Sequence, residues 1–63
     1  MMSGTVKFFN DKKGYGFITM DDGREMFVHV SGLIHGIEKG DNVEFDVKKG
    51  RKGMVAVDVI VVE

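Results

Sequence analysis

Two stretches, "KGYGFITM" (residues 13–20) and "FVHV" (residues 27–30), decide how this chain is read. Neither carries a convincing helical period, the repeat that would give a helix one inner face. Both alternate. In a strand, side chains at i and i+2 share a face, so Tyr15 and Phe17 fall on one side with Gly16 and Ile18 on the other. In the second stretch, Phe27 and His29 oppose Met26 and Val28. "DDG" (residues 21–23) between them is a strong hairpin signal when alternating apolar residues flank it. Pairing the two strands places four flat rings on one surface. The aliphatic set claims the interior, so the rings are assigned to the outside.

Working outward, Thr5 to Phe9 forms an earlier strand ended by "NDKKG", and "VEFDV" (residues 43–47) alternates cleanly. After "KKGRKG" comes "MVAVDVIVV", where simple alternation puts Val55, Val57, Val59 and Val61 on one face. Leu33, Ile34 and Ile37 lie in a Gly-punctuated segment and are expected to pack as a single turn over one end of the sheet. Five short strands with no helical window point to an all-β barrel or sandwich. A chain of 63 residues is too short for a seven-stranded sandwich, and a closed barrel hides the edges that "VIVV" would otherwise offer for aggregation. The expected fold is a five-stranded barrel spanning residues 1–63 as a single domain. Its interior is filled by Val6, Ile18, Met26, Val28, Val43, Phe45, Val47, Val55, Val57 and Val59.

Composition narrows the chemistry. There is no Cys and no Pro, which removes disulfides and thiolate metal sites and leaves the turns to Gly, Asn and Asp. No apolar run approaches the ~20 residues of a membrane span or resembles a signal peptide, so a soluble cytoplasmic protein is expected. The net charge of −1 gives no general support for a polyanion partner, but its distribution does. Lys7, Lys12 and Lys13 outweigh Asp11 in the first twenty residues. The middle of the chain is acidic, and Lys48, Lys49, Arg51 and Lys52 make the last segment basic again. A local field can survive a neutral total.

Exposed rings weaken folding and solubility unless something covers them. Rings rimmed by Lys suit one ligand class especially well. Unpaired bases stack on aromatic faces at ~1–3 kcal/mol per base while cations track the phosphates. Gly14 and Gly16 allow a base or backbone to come close. An enzyme has little to stand on, because there is no Cys nucleophile, no nucleophile elbow and no phosphate loop ending in Lys-Ser/Thr. Asp21 and Asp22 read as turn formers. His29 and His35 have no metal-site spacing, and no cofactor is expected.

At these residues the sequence resembles a known family. "KGYGFI" is similar to the first ribonucleoprotein motif and "MFVHV" to the second, both in the form used by cold-shock domain proteins. "GTVKFFN" resembles that family's opening strand and "DVKKGRKGMVAVDV" its closing hairpin, so the likeness spans essentially the whole chain. It implies a five-stranded antiparallel barrel of the oligonucleotide-binding type that binds single-stranded RNA and DNA with little sequence demand and loosens RNA secondary structure without ATP. Carried over position by position, it implies base stacking by Phe8, Tyr15, Phe17, Phe27 and His29, and polar or backbone contacts from Lys7, Asn10 and Lys13. Phe9 is a frequent contact in the family, but alternation equally allows it to be half-buried beneath Phe8. Arg51, Lys52 and His35 are expected as secondary contacts.

The chain departs from the pattern in three places. Phe8 stands where the family usually has Trp, and Val30 where many members carry an aromatic residue. The segment "SGLIHGIEKGD" is shorter than usual and offers His35 as its only ring. Fewer stacked bases and weaker binding are expected as a result. The competing reading is a small barrel that uses the same aromatic face to bind a peptide or to dimerise. A monomer is expected, with a strand-swapped dimer left open.

Overall fold

The computed structural model describes residues 1–50 and 53–62. In chain order it has strands β1 (Met2–Asn10), β2 (Tyr15–Met20) and β3 (Glu25–His29), a short 3-10 turn at Val30–Gly32, then β4 (Asn42–Gly50) and β5 (Gly53–Val61). The strands close into a barrel in the order β1-β2-β3-β5-β4. Five strands and closure are as the alternation and turn signals predict. The antiparallel expectation needs one correction: β3 and β5 run parallel, pairing Phe27 with Val55 and Val28 with Ala56. A parallel neighbour needs a long crossover, and the segment from the 3-10 turn through β4 supplies it.

Turn chemistry fixes the two hairpins that carry the rings. Between β1 and β2, the Asn10 carbonyl accepts the Gly14 N–H at 2.7 Å and its side-chain oxygen accepts the Lys13 N–H at 3.0 Å. Gly14 takes φ +76°, a left-handed conformation that costs glycine little. Between β2 and β3, the Asp22 carboxylate accepts the Arg24 backbone N–H at 3.0 Å and pairs with its guanidinium. The Arg24 N–H, then its guanidinium, hold the Asp22 carboxyl below its ordinary value. The reading of Asp22 as a turn former stands.

The core is built from Val6, Ile18, Met20, Val28, Ile37, Val43, Phe45, Ala56 and Val59. Met26 and Val47, expected inside, are partly buried and pack against this cluster. Ile37 is buried and Leu33 packs on the core, but Ile34 is 62% exposed, so the apolar segment covers the barrel end with two residues and not three. The larger correction concerns β5. Ala56, and neither Val55 nor Val57, points inward, and then Val59 does. The break comes at Asp58, which takes φ +53° where the β4–β5 register slips by one residue. One extra residue in a strand inverts the in/out phase beyond it. Val55 and Val57 therefore lie on the outside of the barrel.

A second bulge occurs in β1. Val6 pairs with Ile18, but Phe8 pairs with Phe17, so Lys7 is the extra residue. It falls where β1 leaves β4: the backbone N–H and C=O of Val6 bond to Asp41 and Gly40, both at 2.9 Å. Strict alternation would send Phe8 inward with Val6. The bulge turns Phe8 outward and Phe9 inward.

Candidate nucleic-acid interface

Phe8, Phe17 and Phe27 are successive cross-strand partners on β1, β2 and β3, and Tyr15 pairs with His29 one step along the same ladder. The rings touch as a group. Phe8 and Phe17 have centroids 5.6 Å apart, Phe17 and Phe27 5.7 Å, Tyr15 and Phe27 5.9 Å, and Phe8 and Tyr15 6.5 Å. None of them belongs to the core or packs on it, while their strand neighbours Gly16, Ile18 and Val28 are buried. Phe8 is 38% exposed; Tyr15, Phe17 and Phe27 are half-buried. Edge, tilted and stacked contacts of this kind, worth ~0.5–1.5 kcal/mol each beyond burial, help a small barrel to keep the cluster on its surface.

Gly16 makes the arrangement possible. A Cβ there would lie 2.3 Å from the Phe8 carbonyl oxygen and 2.8 Å from the Phe9 Cα. Only a residue without a side chain lets β1 come this close at its bulge. Phe9 is half-buried and packs against the core beside the face, the placement that one of its two readings expects.

Lys7, Asn10, Lys13 and His29 lie near its rim, but several are already engaged. Lys7 is ion-paired with Glu25, reaching over β2 to the far strand. Asn10 gives its side-chain oxygen to the β1–β2 turn, and Lys13 is exposed in that turn. His29 is exposed, and its Nδ1 lies 3.2 Å from the Ser31 N–H and 2.9 Å from the Ser31 hydroxyl. A backbone N–H only donates, so Nδ1 is the accepting nitrogen in this contact. His35 is placed elsewhere: its Nε2 accepts the Val61 N–H at 3.3 Å, and Nδ1 lies 3.2 Å from the Gly36 carbonyl. Val61 pairs with Val43, and Val43's neighbour Gly4 pairs with Met20, the end of the β1–β2 ladder opposite Tyr15. Arg51 and Lys52 lie outside the described residues. Sequence reasoning missed Glu25 and Ser31, the partners of Lys7 and His29; Ser31, two residues on from His29, was the more legible.

A family model described as the "Cold-shock" DNA-binding domain matches residues 2–62. The chain belongs to the cold-shock domain family. It is 47% identical to a cold shock-like protein of Thermotoga maritima, over 98% of this chain and all of that one. It is 41% identical to the major cold shock protein of Streptococcus pyogenes, with 94% of each chain covered. Among solved structures, it is similar to a chain of Drosophila Unr CSD456 with a TM-score of 0.79 and 21% identity, covering 98% of this chain and 26% of that one; this likeness shows the fold. The cold-shock family is a nucleic-acid-binding family and not an enzyme family. Among the described residues, no helix is long and apolar enough to cross a membrane.

Proposed function

We propose that this cold-shock domain binds single-stranded RNA and DNA by splaying unpaired bases over Phe8, Tyr15, Phe17, Phe27 and His29, and that it acts as an ATP-independent RNA chaperone. The observation that carries this reading is the cluster of four rings, each in contact with two others, outside a barrel whose own core is complete without them. The ring planes are not coplanar. Phe17 and Phe27 meet at 75°, and Phe8 and Phe17 at 51°. A continuous base stack cannot lie flat on all of them, so each base must leave its neighbour to find a ring. Unpaired strands do this readily, whereas duplex bases are held parallel by each other.

Lys7 and Lys13 flank the rings, and Lys12 adjoins Lys13 in the turn; they supply the cations that follow the phosphates. Captured bases cannot re-pair, so a hairpin in equilibrium with its open form is drawn open by mass action, by RT ln(1 + [L]/Kd). No nucleotide hydrolysis enters. Weak, fast-exchanging binding fits the role because the strand must be released.

The chain carries its own reporter, since Tyr15 is the single Tyr and Trp is absent. Titration with oligo-dT is expected to change tyrosine fluorescence saturably, and a quenched-fluorophore RNA hairpin is expected to open in proportion to occupancy. No fluorescence response, together with a solution mass that rises with protein concentration, would assign the face to a second copy of the chain instead.

A further inference from the structure

The outer row of partners does not stop at β3. Phe8 pairs with Phe17, Phe17 with Phe27, Phe27 with Val55 and Val55 with Lys48. One file of side chains thus crosses all five strands, three rings followed by a valine and a lysine. Beyond Phe27 it enters an open groove lined by Ser31, Lys48, Lys49, Gly50, Val55 and Val57. The groove exists because the Asp58 bulge leaves Val55 and Val57 half-buried on the outside. Its near wall is flush with β5, since a Cβ on Gly32 would lie 2.7 Å from the Ala56 carbonyl oxygen. That wall is also tied to the ring face, because Ser31 is the residue hydrogen-bonded to His29.

Its charge is one-sided. Lys48 and Lys49 are exposed, and among the described residues the ion pairs are Lys7–Glu25 and Arg24–Asp22, neither of which engages them. Asp46, the register partner of Val57, is the acidic group at the far edge. An apolar floor with a cationic rim, continuous with a stacking face, matches a further length of the same polyanion better than it matches a neutral partner.

We propose that a single strand bound on the rings continues past Phe27 into this groove, with its bases against Val55 and Val57 and its phosphates against Lys48 and Lys49, and that Asp46 ends the track. The proposal rests on the ring face binding unpaired strands, and it extends the footprint from three strands of the barrel to five.

Oligo-dT of two lengths separates the two ideas: a tetramer that the rings alone can hold and an octamer that reaches the groove, both within the ~4–16 nucleotides that one such barrel occupies. Affinity is measured against salt for the protein and for the double variant Lys48→Gln, Lys49→Gln, whose two positions are exposed. The octamer is expected to show a log–log salt slope steeper than the tetramer's by about 1.4, at ~0.7 per phosphate contact on a single strand. The double variant is expected to erase that difference and leave the tetramer unchanged. Val57→Asp, on the groove floor, is expected to weaken the octamer alone. A tetramer that binds with no length increment, or lysine losses equal at both lengths, overturns the groove and spares the rings. A tetramer that does not bind overturns the ring reading, and the groove with it. A double variant that shifts solution mass without altering either slope overturns the proposal in favour of a second copy of the chain.

Discussion

Lys7 and Glu25 are joined in an ion pair that spans β2, with about half of each side chain still exposed to solvent (52% and 45%). Lys7 is the bulge residue of β1, so its side chain leaves the barrel beside Phe8, where a phosphate would pass. A bound strand must therefore compete with a carboxylate already in place. Exposed pairs of this kind are worth only ~0–1 kcal/mol, so the competition is mild. Glu25→Gln is expected to tighten oligo-dT binding by up to ~5-fold at low salt, with the gain fading as salt rises. Lys7→Gln is expected to weaken binding and to lower the salt slope by ~0.7. Fluorescence titrations across a salt series check both. Unchanged affinity in Glu25→Gln would mean that Lys7 does not meet the strand.

Phe17 and Phe27 are expected to matter for binding far more than for folding. Each is half-buried outside the core. Replacing either with Ala should cost ~1–3 kcal/mol of binding, roughly 5- to 150-fold in Kd. The double variant should lose less than the sum, because the two rings support each other edge to face at 5.7 Å and contacting residues do not add. Phe45 is the control: it is fully buried, and Phe45→Ala should cost ~3–5 kcal/mol of stability. Thermal melts beside the titrations distinguish the two classes. A collapse of stability in Phe17→Ala with normal binding by the remaining folded protein would reverse the assignment.

How much of this was legible in the sequence depends on where the ladder is regular. β2 and β3 pair without interruption from Tyr15–His29 to Thr19–Glu25, so strict alternation read their faces correctly. Lys7 and Asp58 each insert one residue and invert the phase after it. That is why the placement of Phe9 stayed open and why Val55 and Val57 were assigned to the core. Asp58 did leave a trace: an Asp inside a run of valines is among the few residues that accept left-handed backbone. Lys7 left none, since its bulge is set by where β1 leaves β4, a long-range event. The parallel β3–β5 pair was invisible for the same reason, because local patterning does not specify strand order. The pairing of Lys7 with Glu25 depends on both.

Gly16 should be intolerant of the smallest addition. Gly→Ala at compatible sites stabilises by about 0.4–1 kcal/mol through the unfolded chain, but here the new Cβ would meet the Phe8 carbonyl oxygen at 2.3 Å. The Phe8 carbonyl oxygen and the Phe9 Cα, at 2.8 Å, are backbone atoms that cannot swing aside, so Gly16→Ala is expected to lower the urea midpoint and disturb Phe8. Gly36→Ala, with nothing within 4 Å of its Cβ, is expected to be neutral or slightly stabilising. Equal midpoints for the two variants would show that β1 can back away from β2 at no cost.

Asp22 makes a pH-dependent contribution whose sign follows from its hydrogen bonds. Folding lowers its pKa below the ordinary 3.8, chiefly through the Arg24 N–H. Between the folded and unfolded values the unfolded chain binds more protons, so stability rises with pH there. The stabilisation is complete above 3.8 and is lost as pH falls through the lower folded value. Asp22→Asn is therefore expected to flatten the acid limb of a melting-temperature profile and to leave its shape near neutrality unaltered. An acid limb identical to that of the parent would show that the turn does not hold the charged form.

Val30 offers a gain of function. It follows His29 directly, is 50% exposed, and its N–H is held by the Gly14 carbonyl at 2.8 Å, so its position beside the ring face is fixed by backbone and not by packing. Val→Phe there adds a stacking surface where many cold-shock relatives carry one, without filling any core space. Stacking at ~1–3 kcal/mol per base should tighten oligo-dT binding by about 5-fold or more, with an unchanged salt slope because no phosphate contact is added. A tighter complex with a steeper slope would mean that the new ring works by rearranging the lysines. No gain at all would show that the face is limited by how far bases can splay and not by the number of rings available to them.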